Sequence, residues 1–323
     1  MKTEVSLEER FEGCFLGAAI GDALGAPIET LKPGVFEKIT NFSAPHPKTF
    51  WSKQPVALKP GDWTDDTAMT LCLADSLIAC GSHNPADQLA RYERWLNHGE
   101  NSCLGVACGS GGTTREVIAR YVACKGDLSG VADHGRPTNG GLMRLSPVAL
   151  WAHENLDWAI ELSAATSSVT HAHPDCALAA KLIGLMVAAS VAGDKSKAFD
   201  RALWKTHIPN LPEFFLESPV SVPVLEKTNA YTAMTTARVA LHCVESTDNF
   251  RDAILMAVNF GNDCDTYGAV AGAIAGTLYG VDAIPADWRK NVAWSETISL
   301  RAKQLYALTI QHKGPTINHG MNI

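Results

Sequence analysis

Apolar residues recur at helical spacing through Phe11–Leu24, Ala68–Ala79, Leu89–Leu96, Val117–Val122, Trp158–Val169, Ala177–Val191, Thr235–Val244, Ala253–Val258, Val270–Leu278 and Ile298–Ile310. The alternation of period two that a half-buried strand requires is nearly absent. These segments confine the chain to an all-α, multi-helix fold. They are separated by turn-rich stretches at Lys32-Pro33-Gly34, Pro45 to Pro60, Gly109 to Gly112, Gly135 to Gly141 and Pro209 to Pro223. The chain has 323 residues, 46% apolar and 19% charged, which is enough to bury a large core in one compact domain over residues 1–323, with a flexible tail expected at 311–323. The run Gly268-x-x-x-Gly272-x-x-x-Gly276-x-x-x-Gly280 has the spacing of close helix packing and predicts a buried central helix, because glycine lets a neighbouring backbone or a ligand approach.

Two acidic clusters lie roughly two hundred residues apart, Thr64-Asp65-Asp66-Thr67 and Asn262-Asp263-Cys264-Asp265-Thr266, and each opens one of the apolar helical runs. Neither has local counter-charge: no Lys or Arg occurs between Lys59 and Arg91, or between Arg251 and Arg289. Capping and the helix dipole explain an acid or hydroxyl at a helix start. One oxygen acceptor suffices for that, so two acids and a hydroxyl, twice over, exceed the requirement. Gathered carboxylates without cations repel each other and favour a divalent ion. Oxygen donors without clustered His or Cys suit Mg²⁺ or Mn²⁺ better than Zn²⁺. Five or six such ligands can hold two ions about 4 Å apart, an arrangement suited to hydrolysis.

Composition narrows the partners. A net charge of −7 argues against a general nucleic-acid or acidic-membrane surface. The nine cysteines are scattered singly with no C-x-x-C pair, which reads as reduced thiols in a cytoplasmic protein. The apolar stretch after the charged N-terminus is broken by Asp22, so neither a signal peptide nor a membrane span is expected, and the chain is expected to act as a monomer.

Other motifs carry open alternatives. Asp22, flanked by glycines, caps backbone amides or takes part in chemistry. Trp63 is a buried aromatic or a stacking platform for a base. Thr170-His171-Ala172-His173-Pro174 precedes a helix whose first turn suits Pro174, which makes His173 a cap. Gly109-Ser110-Gly111-Gly112-Thr113-Thr114-Arg115 lacks the Gly-Lys-Ser/Thr ending of a phosphate-binding loop and reads as a helix start. Arg144 is suited equally to a pyrophosphate and to a salt bridge.

Taken in order, Gly17-x-x-x-Gly21-Asp22-Ala23-Leu24-Gly25-x-x-x-Glu29, Trp63-Thr64-Asp65-Asp66-Thr67, Asn139-Gly140-x-x-Met143-Arg144, Thr170-His171 and Gly261-Asn262-Asp263-x-Asp265-Thr266 resemble the ADP-ribosylglycohydrolase family, over about residues 11–280. The resemblance implies an all-α fold with a dinuclear Mg²⁺ or Mn²⁺ centre that hydrolyses the bond between ADP-ribose and a modified protein or small-molecule conjugate. It implies Thr64, Asp65, Asp66, Asp263, Asp265 and Thr266 as metal ligands. Glu29, Asp65, Asp66 and Asp263 are then the catalytic candidates, with Glu29 a general acid or base. Asn139, Gly140, Gly141, Met143 and His171 are implied in holding ADP-ribose, with arginine the expected acceptor. Cys264 departs from the small or hydroxylated residue expected between the late aspartates.

Two other classes share part of this pattern. All-α terpene and prenyl synthases also use two aspartate motifs, but Asp65-Asp66-Thr67-Ala68-Met69 lacks their final acid and Val270 stands where their second motif ends in one. A catalytically silent ADP-ribose binder or crystallin-like relative would not need all six ligands, which are intact here.

Overall fold

The computed structural model describes residues 4–42, 57–128, 130–226 and 228–312. Fourteen α-helices occur among them: α1 (Leu7–Gly25), α2 (Asp65–Cys80), α3 (Pro85–His98), α4 (Gly112–Ala123), α5 (Ser146–Trp151), α6 (Leu156–Ser168), α7 (Pro174–Ser190), α8 (Lys195–Ala198), α9 (Arg201–His207), α10 (Ala233–Glu245), α11 (Phe250–Val258), α12 (Cys264–Tyr279), α13 (Ala286–Asn291) and α14 (Ser295–His312). Every segment with helical apolar spacing lies in a helix, except that Val169 and Val191 fall at the caps just past α6 and α7. The helices that periodicity did not announce, α5, α8, α9 and α13, are two turns or shorter, too brief for a repeat to show. Most of the turn-rich stretch at 45–60 and the expected tail beyond 312 fall outside the described residues, while α14 extends through Gln311 and His312.

The molecule is organised around α1 and α12, which run antiparallel in the core. Ser6 starts α1 with a reciprocal cap, its hydroxyl accepting from the Glu9 amide at 3.3 Å while its own amide donates to the Glu9 carboxylate at 2.6 Å. Glycine is required along the face α1 turns to α12: a Cβ on Gly13, Gly17 or Gly21 would strike the carbonyl of Gly276, Gly272 or Gly268 in turn. The expected buried glycine helix is therefore α12, and its partner in close approach is the backbone of α1. At the far end Arg10, 9% exposed, closes the C-terminus of α12 by donating to the carbonyls of Thr277 (3.1 Å) and Leu278 (2.6 Å).

Helices α2, α5 and α14 pack against α1, and α7, α10 and α11 against α12. The stretch Leu7–Ile28 is long and apolar enough, by length and composition, to cross a membrane, but 94% of its apolar window is buried inside the protein. Asp22 therefore does not break the apolar run: it lies at the end of α1 and is buried with it. All nine cysteines are free thiols. Among the described residues there is no strand; isolated bridges join Asp133 with His171 and Thr138 with Thr232. Both tie loops in place beside the acidic clusters.

Candidate active site

Because α1 and α12 are antiparallel, the end of α1 meets the start of α12, and α2 begins beside them. A Cβ on Gly25 would strike the backbone of Asp265, so the two helices touch at the site itself. Beyond Gly25 a single helical turn, Ala26–Ile28, places the half-buried Glu29. The segment behind Glu29 is fixed by Thr30 N donating to the Asn262 carbonyl and Asn262 N to that of Leu31, each at 2.6 Å. Thr30 (φ 68°) and Asn262 (φ 57°) both take left-handed backbone. For a β-branched residue such as Thr30 this costs about 1–3 kcal/mol, which those two bonds offset.

Asp22 answers the capping question. Its fully buried carboxylate accepts from the backbone amides of Thr64 (3.1 Å) and Thr67 (3.0 Å) and from their hydroxyls at 2.8 and 2.7 Å. It caps α2 from α1, both its oxygens are occupied, and Thr64 occupies the cap position without capping. Asp65 and Asp66 are thereby released from any capping duty. Asp66 Oδ1 is buried with no hydrogen-bond partner.

Carboxylate oxygens of Asp22, Asp66 and Asp265 lie within 4.8 Å of one another, as do those of Glu29, Asp263 and Asp265. Burial, then the Asp22 carboxylate, pushes the Asp65 carboxyl up to about 8. Asp66 and Asp265 are raised by burial and by the neighbouring acids. Asp263 rises only to about 6, because hydrogen bonds from Asn139 and Thr266 oppose burial. Asn139 Nδ2 donates to Asp263 Oδ2, and Thr266 Oγ1 to Asp263 Oδ1 at 3.3 Å. At neutral pH such a cluster retains protons or takes up a cation, and its buried, unpartnered oxygen and all-oxygen donors fit a hard divalent ion.

The cluster floors a cavity of about 280 Å³. Asn139, Gly140, Met143 and His171 form one wall, brought together by the two bridges: Asn139 N donates to the Tyr231 carbonyl at 3.2 Å and Ala172 N to that of Asp133 at 2.7 Å. The start of α4 forms another wall with Gly111 to Thr114, so the glycine-rich helix start lines the cavity directly. Gly109 (φ 86°) passes so close to Asp65 that a Cβ there would meet the carboxylate. A wider apolar hollow, about 490 Å³ beside His153 and Leu203, holds one acid, Asp200, and no comparable cluster.

Some expected residues stand elsewhere. Gly141 packs against Ser167 of α6 and does not line the cavity; Thr64 also lies behind the wall, its hydroxyl turned to Asp22. Arg144 is fully buried and off the cavity, its guanidinium 4.6 Å from the Tyr92 ring centre. Trp63 is 1% exposed, edge-on to Trp294, with its Nε1 donating to the Ala293 carbonyl. His173 caps α7 by accepting from the Asp175 amide, and Cys264 is buried with its thiol donating to the Gly25 carbonyl at 3.3 Å. Thr113 and Thr114, from the motif read only as a helix start, line the cavity, as do Thr138, next to Asn139, and Tyr231, which was not singled out. The glycine run before Thr113 was a usable signal, whereas nothing near Tyr231 was.

The family model for ADP-ribosylglycohydrolase matches residues 3–315. The chain is 32% identical over 303 residues to ADP-ribosylarginine hydrolase Tri1 of Pseudomonas putida, covering 92% of this chain and 78% of that one. It is 34% identical over 289 residues to the ADP-ribosyl-[dinitrogen reductase] glycohydrolase of Rhodospirillum rubrum, covering 88% and 91%. A solved structure titled ADP-ribosylglycohydrolase-related protein complex superimposes with a TM-score of 0.79 at 30% identity, covering 94% of this chain and 99% of that one. Fold, site and sequence agree: this chain belongs to the ADP-ribosylglycohydrolase family.

Proposed function

We propose that the protein hydrolyses the N-glycosidic bond joining ADP-ribose to arginine on modified proteins, with two Mg²⁺ or Mn²⁺ ions held by Asp65, Asp66, Asp263, Asp265 and Thr266, and with Thr64, which lies behind the wall, left out of the expected ligand set. The observation that carries this is the all-oxygen cluster, with Asp66 Oδ1 unpartnered, at the floor of a cavity walled by glycine backbone, His171 and a helix start. Asp265 stands near Asp66 on one side and near Glu29 and Asp263 on the other, which supports two ions rather than one. When bound, such ions supply Lewis acidity toward ribose and water oxygens. Arginine is favoured as acceptor because Tri1 of Pseudomonas putida and of Serratia proteamaculans, 32% and 31% identical, are named for it.

The chain's own residues then have distinct tasks. Glu29 takes the proton of the attacking water as the bond to the acceptor breaks. Positive charge developing on the ribose ring faces the carboxylates of the floor, fixed in place before the reaction. Asn139 holds Asp263 in orientation, and Gly140 with His171 receives the polar oxygens of the ADP-ribose.

A release assay decides the matter, with arginine-, serine- and base-linked ADP-ribose as substrates, Mg²⁺ or Mn²⁺ present, and EDTA controls. Release from the arginine conjugate that EDTA abolishes is expected. Release from serine or base conjugates alone would overturn the acceptor, and tight ADP-ribose binding with no release would make the protein a binder.

A further inference from the structure

Arg144 is fully buried, away from the cavity, and makes no ion pair among the described residues. Burying an arginine is costly unless its donors are used. Two of them are: Nη1 donates to the Gly140 carbonyl at 2.6 Å and Nη2 to Thr170 Oγ1 at 2.5 Å. Thr170, itself fully buried, lies 2.7 Å through the same oxygen from His171 Nδ1.

The direction of that last bond follows from chemistry. An arginine only donates, so Thr170 Oγ1 accepts from it and its hydroxyl proton needs another acceptor. Among the described residues the only acceptor paired with that hydroxyl is His171 Nδ1. Were Nδ1 the donor instead, a buried hydroxyl proton would be left unpaired. His171 therefore accepts at Nδ1 and carries its proton on Nε2. Nε2 lies against Gly140, where a Cβ would meet it as well as Thr114 Oγ1, and all three residues line the cavity. Burial and the Arg144 charge push the His171 pKa down to about 3, so the ring is neutral and its tautomer decides what it offers.

We propose that Arg144 is a positioning residue: through Thr170 it fixes His171 as the Nε2–H tautomer, and through Gly140 it holds the adjoining loop, so that the cavity presents a neutral N–H donor to an oxygen of ADP-ribose. The assignment of that ligand rests on the function proposed above; the tautomer does not. Lysine cannot replace Arg144, because one ammonium cannot span both acceptors in the planar geometry of a guanidinium.

The test uses the full chain with ¹⁵N-labelled histidine. Long-range ¹H–¹⁵N spectra of the ligand-free protein should show His171 protonated at Nε2; protonation at Nδ1 would overturn the proposal outright. Thr170→Val, nearly isosteric, should move the His171 signals away from that tautomer and weaken ADP-ribose binding about tenfold, the loss expected for one hydrogen bond. Thr170→Ser should restore both. A Thr170→Val protein with unchanged His171 signals and affinity would refute the relay, and should that variant not fold, the wild-type spectrum and Thr170→Ser still decide. If the wild type failed to bind ADP-ribose, the functional reading would fall while the spectrum judged the tautomer independently.

Discussion

Asp22 and Asp66 come within 4.8 Å of each other, yet they serve opposite ends. Asp22 spends its charge on backbone amides and hydroxyls, whereas Asp66 keeps an oxygen with no partner. Asp66→Asn should lower kcat/KM by about 10²–10³ and weaken divalent-ion binding, read by calorimetry. In metal-free protein at pH 7 it should raise Tm, because one of several repelling carboxylates is removed. Asp22→Ala should instead cost about 3 kcal/mol of stability in denaturant titration, since the start of α2 loses its cap and buried amides go unpaired. Both residues were visible in the sequence, Asp22 with two readings, and its capping role needed the partner helix to be seen. Arg144 was less legible: among the described residues it makes no ion pair, and its neighbours, off the cavity, are a ring and two oxygens from distant turns. Tyr231 had no local signal at all, since a tyrosine in a loop becomes a cavity wall only through the fold.

At the scale of elements, periodicity sufficed for the long helices and failed for the short ones, whose place is set by capping and tertiary packing. The glycine spacing of α12 was legible, but its consequence depended on α1 carrying the matching glycines. Gly272→Ala should destabilise the fold by about 3 kcal/mol, because the methyl would meet the Gly17 carbonyl and backbone cannot step aside as a side chain can. Chemical denaturation checks this. A surface control, Gly81→Ala at the end of α2, has open space around it and should show only the smaller cost of its left-handed backbone (φ 62°).

For the whole molecule, the acidic cluster makes stability depend on pH in a definite sense. Asp65 and Asp263, raised from an ordinary 3.8 to about 8 and about 6, bind more protons folded than unfolded between those values. Stability of the metal-free protein therefore falls as pH rises from about 4 to about 8. Saturating Mg²⁺ or Mn²⁺ should flatten that decline, because a bound cation replaces the protons. Thermal melts across this range, with EDTA and with metal, would show it; parallel declines in both would contradict a metal in the cluster. The glycine seam between α1 and α12 has a consequence in time as well as space. Its halves lie at opposite ends of the chain, so during synthesis α1 waits for its partner for on the order of tens of seconds at ~5–20 residues per second. A helix long and apolar enough to cross a membrane is thus made early and satisfied late, and the acidic centre is among the last features a nascent molecule can complete.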